Sequence, residues 1–249
     1  MEIKFGTDVG QRRKNNEDAV GVFYNKKNQF LALLADGMGG HQAGDVASHL
    51  LIERMGKQWE TVDCFNDFET LKQWTEQELQ KQNDYMVQLG REHDEMSGMG
   101  TTVVVAAMIG SQMMIAHVGD SRAYCLRENR LVQLTEDHSL VNELYRSGEI
   151  TKEMAENHPQ KNILTRTVGV PQKLQIDFYI DSIQQDDVYL LCSDGLTNMV
   201  NDETLCHILS QTELAAEQIK NLIQAANEAG GRDNISVVVI KENEMRGDH

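Results

Sequence analysis

Short apolar runs and helically spaced apolar positions predict a hairpin and two helices in the first part of the chain. Residues 19–24 and 29–35 are apolar runs separated by a polar turn, a pattern typical of a β-hairpin. Residues 43–59 and 66–90 place apolar side chains at helical spacing. Each of these two ranges therefore predicts an amphipathic helix.

The middle of the chain is rich in predicted strands joined by short turns. Strands are predicted at residues 101–109, 113–118, 122–126 and 131–134. The turns at residues 110–112 and 128–130 are too short for a crossover, so they force antiparallel neighbours. The later patterns predict a helix, two strands, two helices and a final strand, at residues 139–147, 174–180, 188–192, 202–210, 213–229 and 235–240.

Strands in the middle, with helix pairs inserted early and late, favour an α+β fold built as a four-layer α-β-β-α sandwich. Two antiparallel sheets face to face, with helices outside, bury the apolar side of each element. Such a sandwich gathers the loops at strand ends on one rim. We expect residues 1–243 to form a single domain and residues 244–249 to form a short polar tail.

Composition supports one domain and narrows the classes of partner. The chain has 249 residues, only two prolines, and neither repeats nor a low-complexity linker. A formal net charge of −16 argues against broad binding to nucleic acid or to anionic membranes. Scattered cysteines, no signal-peptide core and no membrane-length apolar run predict a cytoplasmic protein without a membrane span.

Four aspartates lie next to apolar runs of the predicted sheets. Asp36, Asp120 and Asp194 each follow such a run, and Asp233 precedes the last one. Carboxylates gathered on one rim repel one another unless a cation neutralises them, and carboxylate oxygens suit hard divalent ions. The pattern therefore predicts a metal centre at one rim of the sandwich.

The residue types at this rim suit two divalent ions. Asp36 can bridge both ions through its two oxygens, while Gly37 offers a backbone carbonyl. Asp194 and Asp233 can each complete the oxygen ligands of one ion. Two ions about 3.5–4 Å apart would share a hydroxide and stabilise an in-line displacement at phosphorus. Because no His-rich or Cys-rich ligand set is present, Mg²⁺ or Mn²⁺ is favoured over zinc.

A basic and then acidic stretch near the start of the chain could serve a phosphate substrate. Arg13 carries a planar guanidinium that can grip two phosphate oxygens. Glu17 and Asp18 could orient metal-bound water without contacting the ion directly. A surface loop without a role in the site is the alternative interpretation of this stretch.

Six motifs in the chain are similar to those of one enzyme family and occur in its order. They are Arg-x-Asn-Asn-Glu-Asp (13–18), Ala-Asp-Gly-Met-Gly-Gly-His (35–41), Gly-Thr-Thr (100–102), Val-Gly-Asp-Ser-Arg (118–122), Ser-Asp-Gly-Leu (193–196) and Gly-Arg-Asp-Asn (231–234). With them the chain resembles the metal-dependent type 2C (PPM) protein Ser/Thr phosphatases, in particular the bacterial single-domain branch. The resemblance spans nearly the whole chain.

This resemblance implies a role for each residue of the predicted metal centre. It implies that Asp36 bridges two ions and that the Gly37 carbonyl, Asp194 and Asp233 are ligands. It implies that Asp18 acts through bound water. In bacterial members a third ion can lie between the positions of Asp120 and Asp194, and both aspartates are present in this sequence. The implied cofactor is Mn²⁺ or Mg²⁺.

The resemblance also implies the substrate and its contacts. Arg13 matches the phosphate-gripping arginine, and residues 146–172 fall where the family inserts a flap beside the site. The basic residues of this region are candidate substrate contacts: Lys152, Lys161 and Arg166. The implied activity is hydrolysis of phosphoserine and phosphothreonine in proteins by a metal-bridging hydroxide. The implied partners are phosphorylated proteins and a bacterial Ser/Thr kinase whose action is reversed.

One position departs from the family, and three other functions compete. Some eukaryotic relatives carry a histidine directly after Asp-Gly that acts as the proton donor. This chain has Met38 at that position, and His41 is interpreted as a structural turn residue and not as the general acid. The general acid therefore stays unassigned.

A cysteine-nucleophile phosphatase would need an arginine six residues after its cysteine, which none of the four cysteines has. A two-metal nuclease conflicts with the acidic charge, and an inactive sensor conflicts with the retained aspartates and Arg13.

Overall fold

Two antiparallel sheets form the centre of the computed structural model, which describes residues 1–39, 43–211 and 214–242. The first sheet contains, in spatial order, β1 (Glu2–Asp8), β11 (Ile235–Lys241), β10 (Val188–Cys192), β7 (Arg122–Arg127) and β8 (Arg130–Gln133). The second contains β2 (Asp18–Tyr24), β3 (Phe30–Met38), β5 (Val103–Ile109), β6 (Gln112–Val118) and β9 (Asp177–Ser182), and β4 (Gly100–Thr101) pairs with the end of β3. Every strand pair is antiparallel.

Helices cover the outer face of each sheet. Helices α1 (Ala43–Thr61) and α2 (Phe68–Glu92) lie over the second sheet, and α5 (Asp194–Thr197), α6 (Asp202–Gln211) and α7 (Ala215–Glu228) lie over the first. Helices α3 (Leu140–Arg146) and α4 (Lys152–Glu156) belong to a separate segment beside the sheets. The predicted α+β sandwich of four layers is therefore confirmed. None of the described helices is both long enough and apolar enough to cross a membrane.

Strands in this fold are buried on both faces, which explains why they read as continuous apolar runs. In β3, Leu31 and Leu33 pack into the core beneath α1, while Ala32 and Leu34 pack into the core between the two sheets. The same alternation holds for β5, whose valines and alanines divide between these two cores. A third core lies between the first sheet and α5–α7.

An ion-pair network joins the two sheets at the rim farthest from the predicted metal centre. Arg127 at the end of β7 contacts Asp181 of β9 and Asp187 before β10, each at 2.7 Å. Tyr189 donates a further hydrogen bond of 2.8 Å to Asp181. Because β7 and β9 belong to different sheets, the guanidinium holds them together where the apolar core ends.

Several element boundaries differ from the sequence predictions. The predicted strand 101–109 is interrupted at Thr102, and the predicted strand 174–180 begins only at Asp177. Strands β6 and β7 follow one another closely but lie in opposite sheets, because the chain crosses the rim at Gly119 with a positive φ of 113°. The sequence patterns did not indicate β1, α4 or α5. The start of the predicted helix 213–229 and the tail at 244–249 lie outside the described residues.

Candidate active site

The first two carboxylates of the site lie where the core between the sheets ends. In β3, Ala32 and Leu34 point into that core, and Asp36 continues the same face of the strand. Asp18 of β2 pairs directly with Asp36 in antiparallel register. The inter-sheet face therefore changes from apolar to carboxylate at this rim. Asp36 lies inside β3 and not beyond its end as expected, because pairing with β4 extends the strand to Met38.

Two serines on the opposite sheet complete the change from apolar to polar. Leu191 and Val238 pack between the sheets, and Ser193 and Ser236 are the next residues on the same faces. Ser193 Oγ donates a hydrogen bond of 2.7 Å to Asp18 Oδ2 and accepts one of 3.0 Å from Ser236 N. Asp18 is only 2% exposed, so it lies beneath the rim, and Ser193 contacts it from inside the protein.

The Gly-Thr-Thr segment holds Asp36 by its backbone. Thr102 Oγ1 accepts a hydrogen bond of 3.0 Å from Asp36 N, and Thr101 Oγ1 donates one of 2.9 Å to Asp36 O. Thr102 Oγ1 also hydrogen-bonds Ser121 Oγ at 2.7 Å, next to Asp120. The two threonines therefore fix Asp36 and connect it to the turn that carries Asp120.

Asp194 begins helix α5, and the side chain of Asn198 at the end of this short helix orients its carboxylate. Asn198 Nδ2 donates a hydrogen bond of 2.9 Å to Asp194 Oδ2. A Cβ on the intervening Gly195 would lie 1.8 Å from the carbonyl oxygen of Asn234 and 3.4 Å from Asp233 Cβ. Only glycine allows this close approach, which brings the Asp194 and Asp233 turns together.

Asn234 and two glycines place Glu17. Asn234 Oδ1 accepts a hydrogen bond of 2.8 Å from Glu17 N, and its Nδ2 donates to the carbonyl of Asn15 at 2.9 Å. Gly37 N donates to Glu17 O at 3.0 Å. A Cβ on Gly44 would lie 2.5 Å from Glu17 Oε2, so this carboxylate packs against the start of α1. The resulting burial raises the pKa of Glu17.

The carboxylates at this rim disfavour one another's charge in the absence of a cation. Burial, followed by repulsion from its neighbours, raises the pKa of Asp18 to about 7 and that of Asp120 to about 7. The same causes raise the pKa of Asp194 to about 6 and that of Asp36 well above its ordinary value. The charges that act on Asp36 come from Asp18, Asp194, Asp120 and Asp233. These five aspartates therefore form one electrostatic unit.

Arg13 lies at the solvent edge of this unit. Its Nη2 donates a hydrogen bond of 2.8 Å to Asp233 Oδ2, and its side chain is 51% exposed. This hydrogen bond is the main cause of the raised pKa of Arg13. The guanidinium is held beside the carboxylates and remains open to a ligand from solvent.

A groove with a volume of about 950 Å³ opens from Asp120 and Asp194. One wall comes from the segment that contains α3 and α4, and the other from α5 and the start of α6. Behind Asp120, Arg122 makes a bidentate pair with Asp137 at 2.8 and 2.7 Å. That arginine is paired with Asp137 and only partly offsets the charges of Asp120 and Asp194, whose pKa values stay raised.

Two further groups of ligand-type side chains are satisfied by protein partners. In the first, His138 Nδ1 accepts from Gly119 N and its Nε2 donates to Asp177, which also pairs with Arg166 at 2.9 Å. In the second, Asp181 and Asp187 pair with Arg127, and Cys125 lies beside them. Since each group already contains an arginine as counter-charge, neither needs a metal. The candidate centre remains the aspartates at the rim.

The structure brings the sequence-predicted site residues to one rim. They are Arg13, Glu17, Asp18, Asp36, Gly37, Asp120, Asp194 and Asp233. His41 lies outside the described residues, and Met38 ends β3.

Arg166 is directed to Asp177 and does not line the groove, whereas Lys152 and Lys161 do. Cys192 is completely buried, and burial raises its pKa to about 12, which fits a structural thiol.

Sequence reasoning assigned no role to four neutral residues that hold the carboxylates. They are Thr102, Ser193, Asn198 and Asn234. Three of them lie inside the motifs that carried the family resemblance, and Asn198 follows one of them. Their hydroxyl and amide groups are common in turns, so one sequence gives no signal that separates them from ordinary turn residues.

Comparison with known proteins gives one consistent result. Residues 5–235 match the family model described as protein phosphatase 2C. The chain is 46% identical to serine/threonine phosphatase stp of Listeria welshimeri over 99% of this chain and 98% of that protein. The solved S. agalactiae serine/threonine phosphatase superposes with a TM-score of 0.93 at 39% identity, covering 96% and 98% of the two chains. The catalytic domain of serine threonine protein phosphatase PstP, solved in complex with two manganese ions, has a TM-score of 0.83 at 33% identity and 96% coverage of each chain.

Proposed function

Because this chain belongs to the protein phosphatase 2C family, a family of metal-dependent protein phosphatases, we propose that it hydrolyses phosphoserine and phosphothreonine in proteins at the rim aspartates. The observation that carries this assignment is the group of five aspartates whose carboxylate charges disfavour one another in the folded chain. A phosphate monoester adds further negative charge there, so the site needs cations to bind it.

The donor set of the rim fits hard divalent ions. Asp36, Asp194 and Asp233 would hold two ions with the Gly37 carbonyl, and Asp18 would act through water. The charges of Asp36 and Asp194 repel each other, and a divalent ion bound between them would remove this repulsion. When bound, Mn²⁺ or Mg²⁺ supplies an activated water nucleophile and stabilises negative charge on the phosphoryl oxygens. A neighbour of this chain that was solved with two manganese ions supports the pair of ions.

The protein's own residues bind and orient the phosphate. The Arg13 guanidinium can grip two phosphate oxygens after leaving Asp233, which then is free to bind metal. Ser193 fixes one oxygen of Asp18 and leaves the other to accept a hydrogen bond from water. Met38 carries no exchangeable proton, so no side chain at that position protonates the leaving alkoxide.

We expect Arg13→Ala to raise the KM for an aryl phosphate about 10-fold to 100-fold, because a hydrogen bond to a charged group contributes about 1.5–3 kcal/mol. The change in kcat should be smaller, since the aspartates remain. Steady-state kinetics with Mn²⁺ measures both constants. Arg12→Ala is the matched control, because Arg12 is an exposed neighbour whose backbone hydrogen bond to Gly231 O is kept by alanine. An unchanged KM for Arg13→Ala would remove this arginine from the phosphate site.

A third ion between Asp120 and Asp194 is part of the proposal, since both carboxylates line the same end of the groove. Asp120→Asn should slow turnover about 10-fold or more while two ions stay bound, because Asp120 would contact only the third ion. Metal analysis after gel filtration and calorimetric titration with Mn²⁺ give the number of ions. If the rate and the number of ions both matched the parent protein, the third site would be wrong.

One panel of substrates tests the proposed function itself. The purified protein is assayed against a phosphothreonine peptide, a phosphotyrosine peptide and DNA, with Mn²⁺ and with chelator. Metal-dependent hydrolysis of the phosphothreonine peptide alone is expected. Cleavage of DNA would favour a two-metal nuclease, and no hydrolysis of any substrate would favour an inactive binding module. Proteins phosphorylated by a bacterial Ser/Thr kinase are the proposed partners, and such a phosphorylated protein should lose its phosphate in the same assay.

A further inference from the structure

The groove beside the candidate site is much larger than one phosphorylated side chain requires. Its volume of about 950 Å³ is at the upper end of the range of about 300–1,000 Å³ that is typical of pockets for drug-sized ligands. Asp120 and Asp194 occupy one end of it. A phosphorylated residue at that end leaves space for the residues before or after it in a peptide.

The two walls of the groove carry opposite charges. Lys152 and Lys161 line the wall that contains α4, and Asp202 and Glu203 line the other wall in the first turn of α6. Negative charge in the first turn is stabilised by the helix dipole, so the acidic wall is a stable feature of α6. A peptide lying in the groove would meet positive charge on one side and negative charge on the other.

Among the described residues, Lys152 and Lys161 differ from the two arginines of the groove because they have no ion-pair partner. Arg122 pairs with Asp137 at 2.7 Å, and Arg146 pairs with Glu136. Neither Lys152 nor Lys161 makes a salt bridge within the part of the chain that the structure describes. Both lysines are exposed. In a chain of net charge −16, two free cations beside a carboxylate centre are available to a ligand.

We propose that this groove binds the residues flanking the phosphorylated side chain and that Lys152 and Lys161 select substrates with an anionic side chain on one side of it. This substrate preference rests on the proposed phosphatase activity and specifies its substrate. Asp202 and Glu203 repel an anionic residue on the opposite side, so the preference depends on direction along the peptide. The preferred substrate is a phosphoserine or phosphothreonine segment with acidic residues on one side only.

Three phosphothreonine peptides test the preference with the metal-loaded full chain. One carries two glutamates before the phosphothreonine, one carries them after it, and one is neutral on both sides. We expect kcat/KM for one acidic peptide to exceed that for the neutral peptide about 3-fold to 10-fold, because exposed ion pairs contribute about 0.2–1 kcal/mol each. The other acidic peptide should be hydrolysed no faster than the neutral one. The preference should weaken as salt concentration rises, since exposed charges are screened.

Variants connect this preference to the two lysines. The double variant Lys152→Ala and Lys161→Ala should lower kcat/KM for the preferred acidic peptide to the value for the neutral peptide. Lys152→Glu with Lys161→Glu should turn the preference into discrimination against the same peptide. Lys4→Ala with Lys27→Ala removes the same charge from exposed positions that do not line the groove, and should keep the preference.

The outcomes separate this inference from the proposed function. Equal kcat/KM for all three peptides, or a preference that survives loss of both lysines, would overturn the groove assignment while hydrolysis upheld the phosphatase. No hydrolysis of any peptide or aryl phosphate would overturn the phosphatase, and the groove assignment with it. A fourth peptide with a second phosphoserine in place of the glutamates shows which anion the lysines prefer.

Discussion

We expect Asp36→Asn to abolish metal-dependent hydrolysis and to leave the metal-free protein folded and more stable. The activity falls at least about 1,000-fold, because the substitution removes the carboxylate proposed to bridge both ions and with it the activated water. The stability rises, because the neutral amide carries no charge to be buried or repelled, and burial and repulsion are the causes that raise the pKa of Asp36. The backbone contacts with Thr101 and Thr102 are kept, so the strand geometry does not change.

Three measurements check this result. Kinetics with Mn²⁺ and a phosphothreonine peptide give the loss of activity, calorimetric titration gives the loss of bound ions, and thermal unfolding in chelator gives the stability. Asp94→Asn is the control, because Asp94 is an exposed aspartate outside the rim group, and its backbone contact with Ser97 is kept. Metal-dependent turnover that persisted in Asp36→Asn would contradict the two-ion assignment, and reduced stability in chelator would contradict the electrostatic one.

We expect the metal-free protein to lose about 1 kcal/mol of unfolding free energy between pH 6.5 and pH 8, and saturating Mn²⁺ to remove that loss. Burial and neighbouring charges raise the pKa of Asp18 to about 7 and that of Asp120 to about 7 in the folded chain. In the unfolded chain both titrate near 4. The folded state therefore holds protons that the unfolded state has released. The stability that these protons contribute is lost as pH rises through 7.

Two buried histidines oppose part of this loss. Burial lowers the pKa of His138 to about 4 and also lowers that of His117, so both make stability rise with pH below about 6.5. At pH 6.5 the unfolded histidines are still about half protonated, so they offset part of the loss, and the raised carboxyls determine its sign.

Urea unfolding at pH 6.5 and pH 8, with chelator and with Mn²⁺, measures this effect. Bound metal stabilises the folded state by about 2.7 kcal/mol at a free concentration 100-fold above Kd. Asp120→Asn should flatten part of the slope in chelator, since one of the raised carboxyls is gone. Stability in chelator that stayed level or rose from pH 6.5 to pH 8 would show that the rim carboxylates are not coupled as the structure indicates.

The layered fold and the carboxylates of the site were predictable because both depend on local signals. Strands such as β3 are apolar on both faces, so they stand out from their turns, and Asp36 is conspicuous at the end of such a run. Strand β1 was not predicted because it is an edge strand with several exposed residues, including Phe5 at 50% exposure. The five-residue helix α4 was missed because so short a segment has no readable period.

The sequence by itself determined which residues could bind metal and phosphate, because carboxylate, guanidinium and glycine chemistry is a property of each residue type. Only the tertiary structure decided that Asp18 faces Asp36 across one strand pair and is bonded to Ser193 from the opposite sheet. It also decided that Arg166 pairs with Asp177, whereas Lys152 and Lys161 line the groove. Those contacts join residues far apart in the chain, and they form because the two sheets pack against each other across one core.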